Sequence, residues 1–101
     1  MELKINYKKP FSQFVKKQYR DFRAAIEDEI ENICNDTSIG ELKVGDLTGI
    51  RVHKFKFHKQ EYLIAYQSLE NEIKFITIDF YKIGTHENFY EELKSYIKAN
   101  R

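Results

Sequence analysis

Ile50-Arg51-Val52-His53-Lys54-Phe55-Lys56-Phe57-His58 leads through Lys59-Gln60-Glu61 into Tyr62-Leu63-Ile64-Ala65-Tyr66, and this stretch decides the fold class. Its middle alternates basic and aromatic residues, the period of two expected where successive side chains point to opposite faces of a strand. The second run is nearly all apolar, as a central strand would be. Lys59-Gln60-Glu61 is the expected hairpin turn, although it lacks glycine. Leu69-Glu70-Asn71-Glu72 is a second turn, and Ile73 to Ile83, rich in β-branched and aromatic residues, is a third strand. At eleven residues that strand is long, and a β-bulge is expected within it.

On the N-terminal side of this meander lies a loop with Gly40, Gly45 and Gly49, where irregular backbone and positive φ are expected. Before it, Phe11, Phe14, Val15, Tyr19, Phe22, Ala25, Ile26, Ile30, Ile33 and Cys34 recur at spacings of three and four, one helical stripe. Its phase is unbroken, which allows one long helix or a short and a longer helix divided near Gln18 to Arg20. Pro10 suits the first turn of the first helix. Leu3-Lys4-Ile5-Asn6-Tyr7 alternates as a strand. On the C-terminal side, Ile83-Gly84-Thr85-His86-Glu87-Asn88-Phe89-Tyr90 turns strand into helix, with Thr85 the expected N-cap. The helix is expected from about His86 to Ala99, with Phe89, Tyr90, Leu93, Tyr96 and Ile97 on one face. The fold class is α+β: a mostly antiparallel sheet of an N-terminal strand plus a three-stranded meander, an N-terminal helix or helical hairpin, and a C-terminal helix. The helices are expected on one face of the sheet, and residues 1–101 form one domain.

The composition suits a globular chain: 42% hydrophobic, 33% charged, with 8 Phe and 7 Tyr. A net charge of +1 provides no global basic field, so any nucleic-acid site must be a local patch. Cys34 is the only cysteine, which removes disulfides within the chain and cysteine-based metal sites. No signal-peptide core opens the sequence, and no stretch approaches the ~20 apolar residues of a membrane span. A cytoplasmic location without membrane contact is the expectation.

Two groups of residues could carry chemistry. In the strand, Lys54 and Lys56 share one face, with His58 two positions on; Arg51, His53, Phe55 and Phe57 share the other. Two ammonium groups roughly 7 Å apart suit a phosphodiester or the charge that develops on a phosphate in a transition state. The competing reading is a merely solvated sheet face. The second group is His86 and Tyr90, four apart and so neighbours on a helix. Histidine titrates near neutral pH and serves as acid or base; tyrosine positions, exchanges protons or stacks on a base. Here the competing reading is a helix start and a core residue. Lys16, Lys17, Arg20 and Arg23 crowd the first part of the helical region, either a solvated face or a surface resting on RNA. His53 and His58 differ in strand parity, which argues against a metal site shared with His86. No glycine-rich phosphate loop is present, and Cys34 sits on the apolar stripe, as an inert thiol would.

The sequence resembles the RelE/ParE superfamily of bacterial toxin–antitoxin toxins over nearly its whole length. The resemblance is carried by Gly49-Ile50-Arg51-Val52-His53-Lys54-Phe55-Lys56-Phe57, by Tyr62-Leu63-Ile64-Ala65-Tyr66, by a loose Leu-x-Gly loop in Leu42 to Gly49, and by Gly84-Thr85-His86-Glu87-Asn88-Phe89-Tyr90. The last looks like the Gly-Ser/Thr-His-x-x-x-aromatic ending of YafQ- and HigB-like members. The resemblance implies a metal-independent, cofactor-free endoribonuclease that cuts translated mRNA in the ribosomal A site, the ribose 2′-OH attacking its own 3′ phosphate. Carried over, Lys54 and Lys56 match the paired basic residues, His86 an acid or base, and Tyr90 the aromatic that positions RNA. These four are the expected catalytic residues. Arg51 replaces a lysine if the strand register shifts, and Arg51, His53, His58, Lys16, Lys17 and Arg20 are the expected RNA contacts. Two departures stand out: Leu63 occupies the position where RelE-like members carry an arginine, and the net charge of +1 is low for a protein that binds ribosomal RNA; both leave room for a weakened or redirected toxin. The implied partners are an antitoxin, the ribosome and mRNA, with the free toxin monomeric and hetero-oligomeric once neutralised. Two other classes remain open: a ParE-like gyrase poison and a catalytically silent binding module.

Overall fold

The computed structural model describes residues 2–73 and 75–100. Met1, Arg101 and Lys74, the last inside the expected third strand, lie outside the described residues. The elements are β1 (Leu3–Tyr7), α1 (Lys9–Lys16), α2 (Arg20–Asn35), β2 (Glu41–Leu42), a 3-10 turn (Gly45–Leu47), β3 (Arg51–Phe57), β4 (Gln60–Glu70), β5 (Ile76–Gly84) and α3 (Phe89–Ala99). The strands form one sheet in the order β1-β5-β4-β3-β2. β1 runs parallel to β5, and every other pair is antiparallel.

β4 is the central strand that its apolar run predicts: Leu63, Ile64, Ala65 and Tyr66 are all fully buried. Their alternation sorts the core into two layers. Ile64 and Tyr66 pack with Phe11, Phe22, Ile26 and Ile33 of α1 and α2. Leu63 and Ala65 pack with Phe89 and Leu93 of α3 and with Leu47, Ile50 and Val52. The expectation that all helices share one face is therefore corrected: α3 covers the opposite face. A strand apolar on both sides needs cover on both sides.

The helical stripe is divided into two helices. Lys17 and Gln18 donate back to Phe14 and Val15, closing the last turn of α1. Tyr19 is extended (ψ 162°) and precedes α2. The expected bulge lies in β5. Ala65 pairs with Lys82 but Tyr66 with Phe80, leaving Tyr81 as the extra residue. Tyr81 and Lys82 consequently both turn toward α3, where Tyr81 packs in the second core layer and Lys82 pairs with Glu92 at 3.1 Å. Gly45 and Gly49 have the positive φ expected of the loop (69° and 90°).

Three boundaries differ from expectation. The β3–β4 turn is His58-Lys59, not Lys59-Gln60-Glu61, because Phe57 pairs with Gln60. Both turn residues have positive φ (50° and 68°), the backbone of a tight two-residue hairpin. β4 extends to Glu70 and β5 begins at Ile76, leaving Ile73 outside the strand. Helix α3 starts at Phe89 behind Asn88, which sits at φ 58° without a side-chain cap, so neither Thr85 nor His86 is helical. His86 instead accepts at its carbonyl from the Phe89 N–H (3.2 Å), in the turn that feeds the helix.

Candidate functional site

Strand pairing lays out the site on the α3 face. Lys54 lies opposite Leu63 and Lys56 opposite Glu61, while Leu63 in turn lies opposite Gly84 at the end of β5. Lys54 and Lys56 are exposed there. Glu61 reaches His86, with 3.4 Å between the carboxylate and Nε2. The rings of His86 and Tyr90 are 6.2 Å apart, so the expected adjacency holds although His86 precedes the helix. The one-residue shortening of the hairpin turn is what puts Glu61 in the strand and within reach.

β2 adds a residue that sequence reading missed. Glu41 lies opposite Val52, and the Lys43 N–H donates to the Ile50 carbonyl at 2.8 Å, which extends the edge past the strand proper. Glu41 and Lys43 thus share the face of Val52 and Lys54. The Lys43 ammonium pairs with Glu41 and lies 5.4 Å from the centroid of the Tyr90 ring. Its pKa is raised, first by the hydrogen bond to Glu41 and, against partial burial, by Tyr90 beside it. The Glu41 carboxyl is lowered by that hydrogen bond and by the charges of Lys43 and Lys54. Lys43 is therefore a fixed cation at neutral pH. The Glu41-x-Lys43 alternation inside the glycine-containing loop was its only signal in the sequence.

Leu63, where an arginine was expected, is fully buried beneath Phe89 and Leu93. β4 supplies no cation at that position; Lys43, arriving from the other side, stands in the same layer. The site therefore assembles Lys43, Lys54, Lys56, Glu61, His86 and Tyr90 from four elements and the turn before α3.

The remaining expected contacts lie elsewhere. Arg51 faces α2's side of the sheet and donates to the carbonyl of Gly40 at 2.9 Å. His53, on the same side, is bonded to Glu29 of α2 at 2.8 Å, side chains largely buried. Both fasten β3 to its cover. The strand register puts the lysines, and neither Arg51 nor His53, on the face of His86. Lys16, Lys17 and Arg20 are exposed at the α1–α2 corner, and His58 is exposed at the hairpin tip beside it. Cys34 is half-buried, and burial raises its thiol pKa. Among the described residues, no three His, Cys, Asp or Glu side chains converge as a metal site. No helix among them is long and apolar enough to cross a membrane.

The model of a family described as ParE-like toxins of type II bacterial toxin–antitoxin systems matches residues 5–94. The chain belongs to this family. Among curated proteins, none matches the sequence. Among solved structures, a double arginine-to-alanine mutant of the Escherichia coli toxin RelE in the free state aligns with a TM-score of 0.67 at 13% identity, covering 97% of this chain and 98% of that one. The intact E. coli RelBE toxin–antitoxin complex aligns at 0.63 and 13% identity, over 83% of this chain and 96% of that one. The isolated E. coli RelE toxin aligns at 0.60 and 14% identity, over 93% and 97%. The fold of this ParE-like toxin is thus the α+β fold of RelE, with three helices and a five-stranded, mostly antiparallel sheet among the described residues.

Proposed function

We propose that this toxin is a metal-independent endoribonuclease that cuts mRNA on the translating ribosome. The observation that carries the reading is the convergence of Lys43, Lys54, Lys56, His86 and Tyr90 on one face of the sheet. Three ammonium groups beside a proton-transferring pair match what phosphodiester cleavage by an internal 2′-OH requires. The 2′ oxygen forms a bond to the adjacent phosphorus, and its proton passes to a base. The bond from phosphorus to the 5′ oxygen breaks, and an acid protonates the departing oxygen. A 2′,3′-cyclic phosphate and a 5′-hydroxyl result. Lys43, Lys54 and Lys56 balance the charge on the five-coordinate phosphate, the largest stabilising effect available to a site without metal. His86 and Tyr90 handle the protons or hold the RNA in line, with Glu61 orienting the His86 ring.

Lys54, Lys56 and His86 are exposed on this face, so positioning of the mRNA is left to the ribosome. This supports a nuclease that acts on translated RNA and stays idle on free RNA. The partner is a cognate antitoxin, as the likeness to RelE held in its antitoxin complex supports; the free toxin is read as a cytoplasmic monomer. A second reading rests on the family description, ParE-like: inhibition of DNA gyrase without RNA cleavage. Purified toxin with programmed ribosomes, and separately with gyrase and plasmid, distinguishes the two. Cleavage of the A-site codon, lost in His86→Ala with Tyr90→Ala, supports the nuclease. Intact mRNA with blocked supercoiling supports the gyrase poison.

A further inference from the structure

Tyr19 is 90% exposed, the most exposed of the large hydrophobic side chains among the described residues. It precedes α2 at the N-cap position, yet its side chain caps nothing. Around it, Lys16, Lys17, Arg20 and Arg23 are all exposed, against a single Asp21 in the first turn of α2; the next acidic residue of that helix is Glu27. Beside this corner runs a groove toward the β3–β4 hairpin, lined by Gln18, Tyr19 and Asp21 on one side and by Phe57, His58 and Tyr62 on the other. The exposed His58 ring leans edge-on against Phe57, 4.2 Å between centroids.

The hairpin tip supplies an independent observation. His58 and Lys59 both hold positive φ, a conformation that costs a side-chain-bearing residue about 1–2 kcal/mol and that glycine or asparagine would adopt more easily. The tip presents an imidazole and an ammonium despite this strain. The groove and the candidate site lie on opposite faces of the same hairpin. Gln60 and Tyr62 line the groove, and Glu61 between them turns to the opposite face and meets His86.

We propose that the α1–α2 corner and the hairpin tip form a stacking platform for single-stranded RNA, with an unpaired base lying on Tyr19. The inference rests on the nuclease reading and extends it: a strand held at His86 passes over the tip and reaches Tyr19, while Lys16, Lys17, Arg20 and Lys59 track its phosphates. An unpaired base, not a duplex, fits, because a base stacks on a side chain only when its face is free.

The test is binding of a short purine oligoribonucleotide, and of an abasic strand of equal length, to the intact toxin across a salt series. Tyr19→Ala is expected to weaken the purine strand about 10-fold or more. It should leave the abasic strand and the salt slope unchanged, and Tyr19→Trp should restore purine binding. Lys16→Gln with Lys17→Gln is expected to lower both affinities and to reduce the salt slope by about two. Equal loss for both strands, or no loss, in Tyr19→Ala overturns the platform. So does loss of antitoxin binding with RNA binding intact, which would make Tyr19 a protein contact. If A-site cleavage by His86 and Tyr90 persists in those cases, the platform alone fails; if wild-type toxin neither binds nor cuts RNA, the nuclease reading falls with it.

Discussion

A methyl group at Gly40 would lie 2.8 Å from both Cε1 and the hydroxyl oxygen of Tyr66, and 3.1 Å from the Arg51 Cβ. The Tyr66 hydroxyl needs that space: it donates to the Thr37 carbonyl at 2.6 Å and accepts from the Gly40 N–H at 2.9 Å. Gly40→Ala is expected to cost about 1–3 kcal/mol by overpacking, and Tyr66→Phe a similar amount by orphaning a buried N–H. Denaturant unfolding measures both. Lys43 is the residue on which the chemistry is most exposed to test. Lys43→Met should lower the single-turnover cleavage rate on programmed ribosomes by about 10²–10³-fold. Lys43→Arg should retain most of it, since the positive charge is kept. An unchanged rate in Lys43→Met would remove Lys43 from the site.

At the scale of elements, the β3–β4 hairpin does most to order the site. Lys59→Gly should relieve about 1–2 kcal/mol of left-handed strain and return about 0.5–1 kcal/mol in backbone entropy. The expected net gain of roughly 0.5–1 kcal/mol would be read as a raised Tm. How far each element was legible follows from where its signal lies. Alternation in Arg51 to Phe57 assigned the faces correctly, because a strand's period is fixed by its own backbone. The helical stripe carried no phase change at Tyr19, so one helix and two were equally compatible with it. The start of α3 was misplaced because Asn88 enters it through a left-handed backbone and not through a side-chain cap. The face of α3 and the position of Lys43 were not legible, since each depends on pairing between distant strands: the bulge at Tyr81 and the approach of Lys43 to Ile50. His86 and Tyr90 were legible as neighbours because four residues of turn and helix bring them together.

At the scale of the whole molecule, a net charge of +1 is arranged as a basic corner, a lysine-bearing sheet face and an acidic end of α2. Ribosome association should therefore weaken steeply with salt although the chain is nearly neutral. Stability should fall toward acid. The Asp36 carboxyl is lowered by its hydrogen bonds to Ser38, and Glu41 by Lys43. A depressed folded pKa contributes stability above the unfolded value and loses it as pH falls through the folded one. The melting temperature is thus expected to drop as pH falls below about 4, with a shallower acid limb in Asp36→Asn combined with Glu41→Gln. Lys43 has the opposite sign, and its contribution is lost only as pH rises past its raised value. The nuclease claim is tested most directly by inducing the toxin in bacteria without antitoxin and mapping 5′ ends on a translated mRNA and on the same mRNA with its start codon removed. Growth arrest with new 5′ ends confined to the translated message, abolished by His86→Ala with Tyr90→Ala, is the predicted result. Arrest with both messages intact would contradict it and leave the gyrase reading in its place.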